Sequence, residues 1–212
     1  AGMNQRRSWV ARWQMWLAML VLMVTTQAFA TPYVTLTQTP APTDGIQEIY
    51  VGNDLSTQVK HTIDASDWQV YPSKTRPGDF GTLLVVDGQL YAPDFNASGR
   101  GTATGTLGPR TAFVPVGQTA VQGQGTAASP LVVSTEASLP TTNLSIVQRD
   151  SFVNGDEFFT TDVLIKNAGA AAKEIIVYRA LDCFLGGSDS GYGMISGTSV
   201  ACSKVANNTP PD

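Results

Sequence analysis

Residues 158–183 read FFTTDVLIKNAGAAAKEIIVYRALDC, and this stretch decides the fold class. Thr161, Val163 and Ile165 alternate with Asp162 and Lys166, so an extended backbone puts β-branched side chains on one face and charges on the other. That is the pattern of a half-buried strand. Asn167-Ala168-Gly169 follows, and Asn and Gly tolerate the left-handed backbone angles needed where a strand reverses. Glu174 to Ala180 then gives a second strand, apolar on both faces at its middle, as suits a position inside a sandwich. The three alanines at 170–172 could seed a helical turn, but Gly169 before them and the β-branched run after them favour strand. The expectation is a strand pair reversing at 167–169. Further strands must cover it, because two strands alone are marginal in water.

Outward from that pair, short strand candidates recur at 33–37, 46–51, 58–63, 67–71, 82–86, 89–92, 131–133 and 144–148. Between them sits turn chemistry: Gly52-Asn53-Asp54, Pro72, Pro77-Gly78 and Asp87-Gly88. Asp87-Gly88, between Leu83-Leu84-Val85-Val86 and Gln89-Leu90-Tyr91, is the strongest tight-hairpin signal. No segment keeps a helical period. With 14% charged and 42% hydrophobic residues, 20 Gly and 12 Pro, the composition fits a β-rich chain that can bury a core. The expected fold is all-β, one or more antiparallel sandwiches, immunoglobulin-like or larger. Residues 96–129 shift to Gly, Thr, Ala and Gln, an excursion in which 111–116 is the part expected to pack. Pro140 within 138–142 marks the expected boundary between a sandwich domain at 31–138 and a second β module at 139–212, which reads as truncated.

Ala1-Gly2 ahead of Met3 reads as a remnant. From Met3 the pattern is that of an export signal: Arg6, Arg7 and Arg12, an apolar run at 15–24, then the small residues Ala28 and Ala30 flanking Phe29. Cleavage is expected between Ala30 and Thr31, by the general secretory route; Gln5 and the strongly apolar core argue against a twin-arginine route. The ten-residue apolar run is short of the roughly 20 residues that span a bilayer. The membrane is therefore expected to be a transient partner. Of 13 basic and 17 acidic residues, cleavage removes the three arginines, leaving 10 against 17 and a formal charge of −7. Such a surface repels phosphate backbones, which excludes nucleic acid as an expected partner.

The two cysteines, Cys183 and Cys202, both lie in the exported part, and an oxidising compartment pairs them. Two thiols without nearby histidines do not complete a tetrahedral metal set. Asp182, Asp189, Asp156 and Glu157 lie near glycine-rich turns, where oxygen ligands for calcium could converge, though without EF-hand spacing. Solvated turn acids are the plainer reading, and no metal ligand or cofactor is assigned. Trp68, Tyr71, Tyr91, Tyr178 and Tyr192 could stack on sugars or fill a core.

Ser196-Gly197-Thr198-Ser199-Val200-Ala201 resembles the nucleophile motif of subtilisin-like proteases. That chemistry needs a serine, a histidine and an aspartate, but the expected proline is replaced by Ser203. The single histidine, His61, lacks the glycine-rich helix start of that family. Ser188-Asp189-Ser190-Gly191 is similar to the serine loop of trypsin-like proteases, again without its histidine motif. No catalytic residue is assigned. Val163-Leu164-Ile165-Lys166-Asn167-Ala168-Gly169 resembles the strand-turn signature of cell-adhesion-related, immunoglobulin-like repeat modules in large secreted bacterial surface proteins. The continuation through Cys183 departs from that pattern. The resemblance implies an exported, non-catalytic adhesion or scaffold module whose partners are cell-wall or host glycans or neighbouring domains of the same chain. The alternative is a carbohydrate-binding or accessory domain of a secreted glycan-active enzyme.

Overall fold

The computed structural model describes residues 33–62, 68–74, 76–95, 109–185, 187–189 and 191–203. The expected leader with its Ala30/Thr31 junction, residues 63–67, most of the 96–129 excursion's first half and the chain after 203 lie outside them. The described chain is all-β, with thirteen strands and no helix.

One seven-stranded sheet contains β1 (Tyr33–Thr37), β2 (Ile46–Gly52), β3 (Ser56–His61), β4 (Phe80–Val86), β5 (Gln89–Ala92), β6 (Thr111–Ala112) and β11 (Ile175–Leu181). All pairs are antiparallel except β5 with β6. The Asp87-Gly88 connection forms as its sequence dictates. Both residues have positive φ, 48° and 84°, and Val86 faces Gln89 across a two-residue turn, the geometry whose twist matches the flanking strands. β4 is central: β11 lines one edge from Phe80 to Val86, while β3 takes the start of the other edge and β5 its end.

The second sheet runs β10 (Thr160–Asn167), β9 (Leu144–Phe152), β8 (Leu131–Ser138), β7 (Val114–Gln118), all antiparallel. Its inward residues alternate as the pleat requires: Val133, Thr135 and Ala137 on β8, then Leu144, Ile146, Gln148, Asp150 and Phe152 on β9, are all buried. A separate hairpin of β12 (Tyr192–Ser196) and β13 (Ser199–Ser203) turns at Gly197, where φ is +57°.

The two larger sheets pack face to face. Leu84, Val86 and Tyr91 of the first meet Ala137, Leu144 and Ile146 of the second, with Val163 and Ile165 from β10 and Ile175 from β11 against them. A second apolar group joins Leu36, Ile49 and Val51 to Val133 and Phe152. Burial of such side chains contributes roughly 1.5–3 kcal/mol each before entropy is counted. The boundary expected at 138–142 falls in the connection between β8 and β9, which pair along their whole length. Both apolar groups draw side chains from either side of it, so one pair of sheets stands where two separate modules were expected.

The stretch at 158–183 forms both expected strands, and Thr161, Val163 and Ile165 do face inward. The two strands do not pair with each other. β10 pairs β9 in one layer, and β11 pairs β4 in the other. The connection at 168–174 is longer than the two to five residues of a tight hairpin and crosses between layers. The Ala168 amide donates to the Asn143 carbonyl beside the β8–β9 turn. At the far end, Lys173 Nζ donates to Asp87 Oδ2 at 2.6 Å and the Glu174 amide to Asp87 Oδ1. Alternation fixes which face a strand buries, not which neighbour it bonds. Nor does β11 sit in the interior: Ile176, Val177, Tyr178 and Leu181 are each exposed by 45–48%.

Candidate functional site

The most chemically equipped region lies where β11 runs into the disulfide. Arg179 is drawn there by its strand phase, which points it between the layers. Its Nη1 donates to Thr82 Oγ1 at 2.8 Å, and the guanidinium stands 4.2 Å from the Phe80 ring centroid. Thr82 in turn donates to Gln148 Oε1 at 2.6 Å, Gln148 Nε2 to Asp150 Oδ2 at 2.8 Å, and Thr161 Oγ1 to Asp150 Oδ1 at 2.6 Å. The chain of bonds ties β11 and β4 to β9 and β10. Burial pushes the Asp150 carboxyl above its ordinary value, against the pull of its two donors and of Arg179, and burial lowers the Arg179 guanidinium. Buried polar groups in this arrangement are costly unless each is satisfied, and here Asp150 has both oxygens bonded.

Beyond Leu181 the chain is held against the first layer. The Tyr71 amide donates to the Asp182 carbonyl, and Val70 bridges Cys183. The Cys183–Cys202 disulfide, formed as the sequence implies, brings β13 to this end of β11. Between them opens a cleft of about 320 Å³ lined by Arg179, Asp182, Asp189, Tyr192 and Val200 beside the disulfide. Tyr192 is 53% exposed and Val200 78%. Thr82 takes one of the five donors a guanidinium carries.

The acids considered for calcium separate into two places. Asp182 and Asp189 share the cleft, whereas Glu157 accepts a hydrogen bond or ion pair from His61 Nε2 at 2.9 Å across the layers. Among the described residues no group of three or more His, Cys, Asp or Glu is placed to hold a metal ion. Ser199 opens β13 opposite Ser196, and His61 ends β3 with Glu157 as its ring partner; Ser188 lies in a short turn bonded to Leu185. The proposed stacking aromatics also divide. Trp68 and Tyr91 are buried, Tyr71 packs on Phe184, and Tyr178 and Tyr192 are exposed.

Two features escaped the sequence. Arg76 covers Tyr50 and Trp68, which stack with centroids 5.8 Å apart, at 4.9 and 5.2 Å. Burial, reinforced by Glu48 accepting from its hydroxyl, pushes Tyr50 upward. Arg179 has no local signal, because its partners Thr82, Phe80 and Asp150 come from two distant strands, β4 and β9.

No family model, curated protein or solved structure matches this chain.

Proposed function

We propose that this chain is a non-catalytic, exported β-sandwich module of a larger cell-surface or secreted bacterial protein, immunoglobulin-like in build, with an adhesion or scaffold role. The observation that carries the reading is the open side of the sandwich. β11 is bonded on one edge to β4 and still exposes Ile176, Val177, Tyr178 and Leu181, with Leu164 of β10 exposed by 56%. Ile176 and Tyr178 share the outward face of this edge strand, and large apolar side chains left exposed there suit a contact surface. The disulfide fits an oxidising compartment, and the inter-layer polar ties serve to join sheets.

Two measurements test it. In intact source cells the chain should be open to added protease, and beads carrying the processed protein should adhere to glycan- or protein-coated surfaces. Ile176→Lys, at an exposed position on the outward face, should weaken that adhesion without unfolding the chain. Turnover of an ester, peptide or glycoside that Ser199→Ala abolishes would sink the non-catalytic reading.

A second reading, a carbohydrate-binding or accessory domain of a glycan-active enzyme, draws on the cleft at Arg179 and Tyr192. Flat rings beside hydrogen-bonding side chains suit the amphipathic faces of a sugar.

A further inference from the structure

We infer that the cleft between the end of β11 and the β12–β13 hairpin is a binding site for a neutral pyranose, with Tyr192 as its stacking ring and Arg179 and Asp189 as its polar contacts. The inference rests on the reading that this module contacts glycans, and it names where and what kind. The cleft's volume, about 320 Å³, is at the small end of the roughly 300–1,000 Å³ typical of small-molecule sites. It suits a single ring better than an extended chain buried along its length.

Three chemical features converge there. Tyr192 presents a half-exposed ring and Val200 an exposed branched side chain, a wall for the apolar face of a sugar. Arg179 is fixed through Nη1 by Thr82, with its guanidinium held against Phe80, so its remaining donors are oriented before any ligand arrives, and preorganisation lowers the cost of binding. Asp189 is exposed at the same rim and accepts hydrogen bonds only. A pyranose hydroxyl both donates and accepts, so neighbouring hydroxyls match a guanidinium and a carboxylate together.

Charge selects the class. One cation faces two acids, Asp182 and Asp189, on a chain with 17 acidic and 13 basic residues overall. A uronate or sialic acid would bring its carboxylate toward a net negative wall, while a neutral ring meets no such opposition. Free cations would satisfy the acids but leave the aromatic wall and the guanidinium without a role.

The test uses the full chain with methyl hexopyranosides as probes and methyl glucuronide and sialic acid as acidic comparators, read by calorimetry and by a glycan array. A neutral hexopyranoside should saturate in the millimolar range or below. Tyr192→Ala and Asp189→Asn, both at exposed positions, should each weaken it at least about tenfold, which corresponds to roughly 1.4 kcal/mol. Ile195→Ala, 79% exposed on the same hairpin but outside the cleft, should leave affinity unchanged. Thermal unfolding of all three variants is the check that they fold. Binding that survives both cleft variants would overturn the site while leaving glycan contact intact. Preference for the acidic sugars would overturn the class, and adhesion only to protein-coated surfaces would overturn the inference while leaving the adhesion reading in place. Loss of adhesion to every surface would remove both.

Discussion

Single side chains carry obligations in this fold that their positions in the sequence do not announce. Gln58 is fully buried, and its amide acts as a strand partner: Nε2 donates to the Val70 carbonyl at 2.9 Å, and Oε1 accepts from the Val70 amide at 3.1 Å. Gln58→Ala should cost about 1–3 kcal/mol for each backbone group left without its bond, measured by denaturant unfolding. Gly123 has φ +90°, and a Cβ there would stand 1.8 Å from the Pro130 carbonyl oxygen. Gly123→Ala should destabilise by more than about 1 kcal/mol, since both the backbone angle and the contact oppose it. Asp150 is buried between the layers with its pKa raised. In the window above the ordinary carboxylate value of about 3.9, the native state holds a proton that the unfolded chain has lost. Its contribution to stability therefore falls as pH rises through that window. The stability difference between wild type and Asp150→Asn, followed by unfolding across that range, should decline toward neutral pH; a difference that grows would contradict the desolvated site.

Elements show how far local pattern reaches. The strands at 33–37 and 89–92 occur with the bounds their alternation implies, and Asp87-Gly88 turns as its residue types require, because both signals are local. The strand expected at 67–71 is described only from residue 68, and there the chain makes two isolated bridges, at Trp68 and Val70, with the Gln58 side chain taking both backbone groups of Val70. The 158–183 stretch gave two true strands and a false partnership, because period two specifies a face and is silent about the neighbour. Of the cleft, the cysteine pairing and the aromatic Tyr192 were legible, whereas Arg179 depends on Thr82, Phe80 and Asp150 arriving from other strands. The β12–β13 hairpin pairs with no third strand among the described residues, and a lone hairpin is marginal in water. Reducing Cys183–Cys202 should therefore release amide protons of 192–203 to exchange while the two large sheets keep their protection. Hydrogen exchange by mass spectrometry reads this directly, and equal loss everywhere would show that the hairpin is integral to the core.

At the scale of the whole molecule, the sandwich is closed by a strand that comes late. β4 ends at Val86, and the partner for that edge, β11, begins at Ile175. Contacts so far apart in sequence slow folding, because loop closure must precede any gain. During synthesis at roughly 5–20 residues per second, the stretch from β4 to the end of β11 takes on the order of 5–20 s. For that interval the nascent polypeptide carries a central strand with one edge unpaired. An edge left bare for that long is open to pairing with the strands of other nascent chains. A version ending before Ile175 would keep that strand bare permanently and should precipitate or recruit the missing segment when it is supplied as a separate peptide.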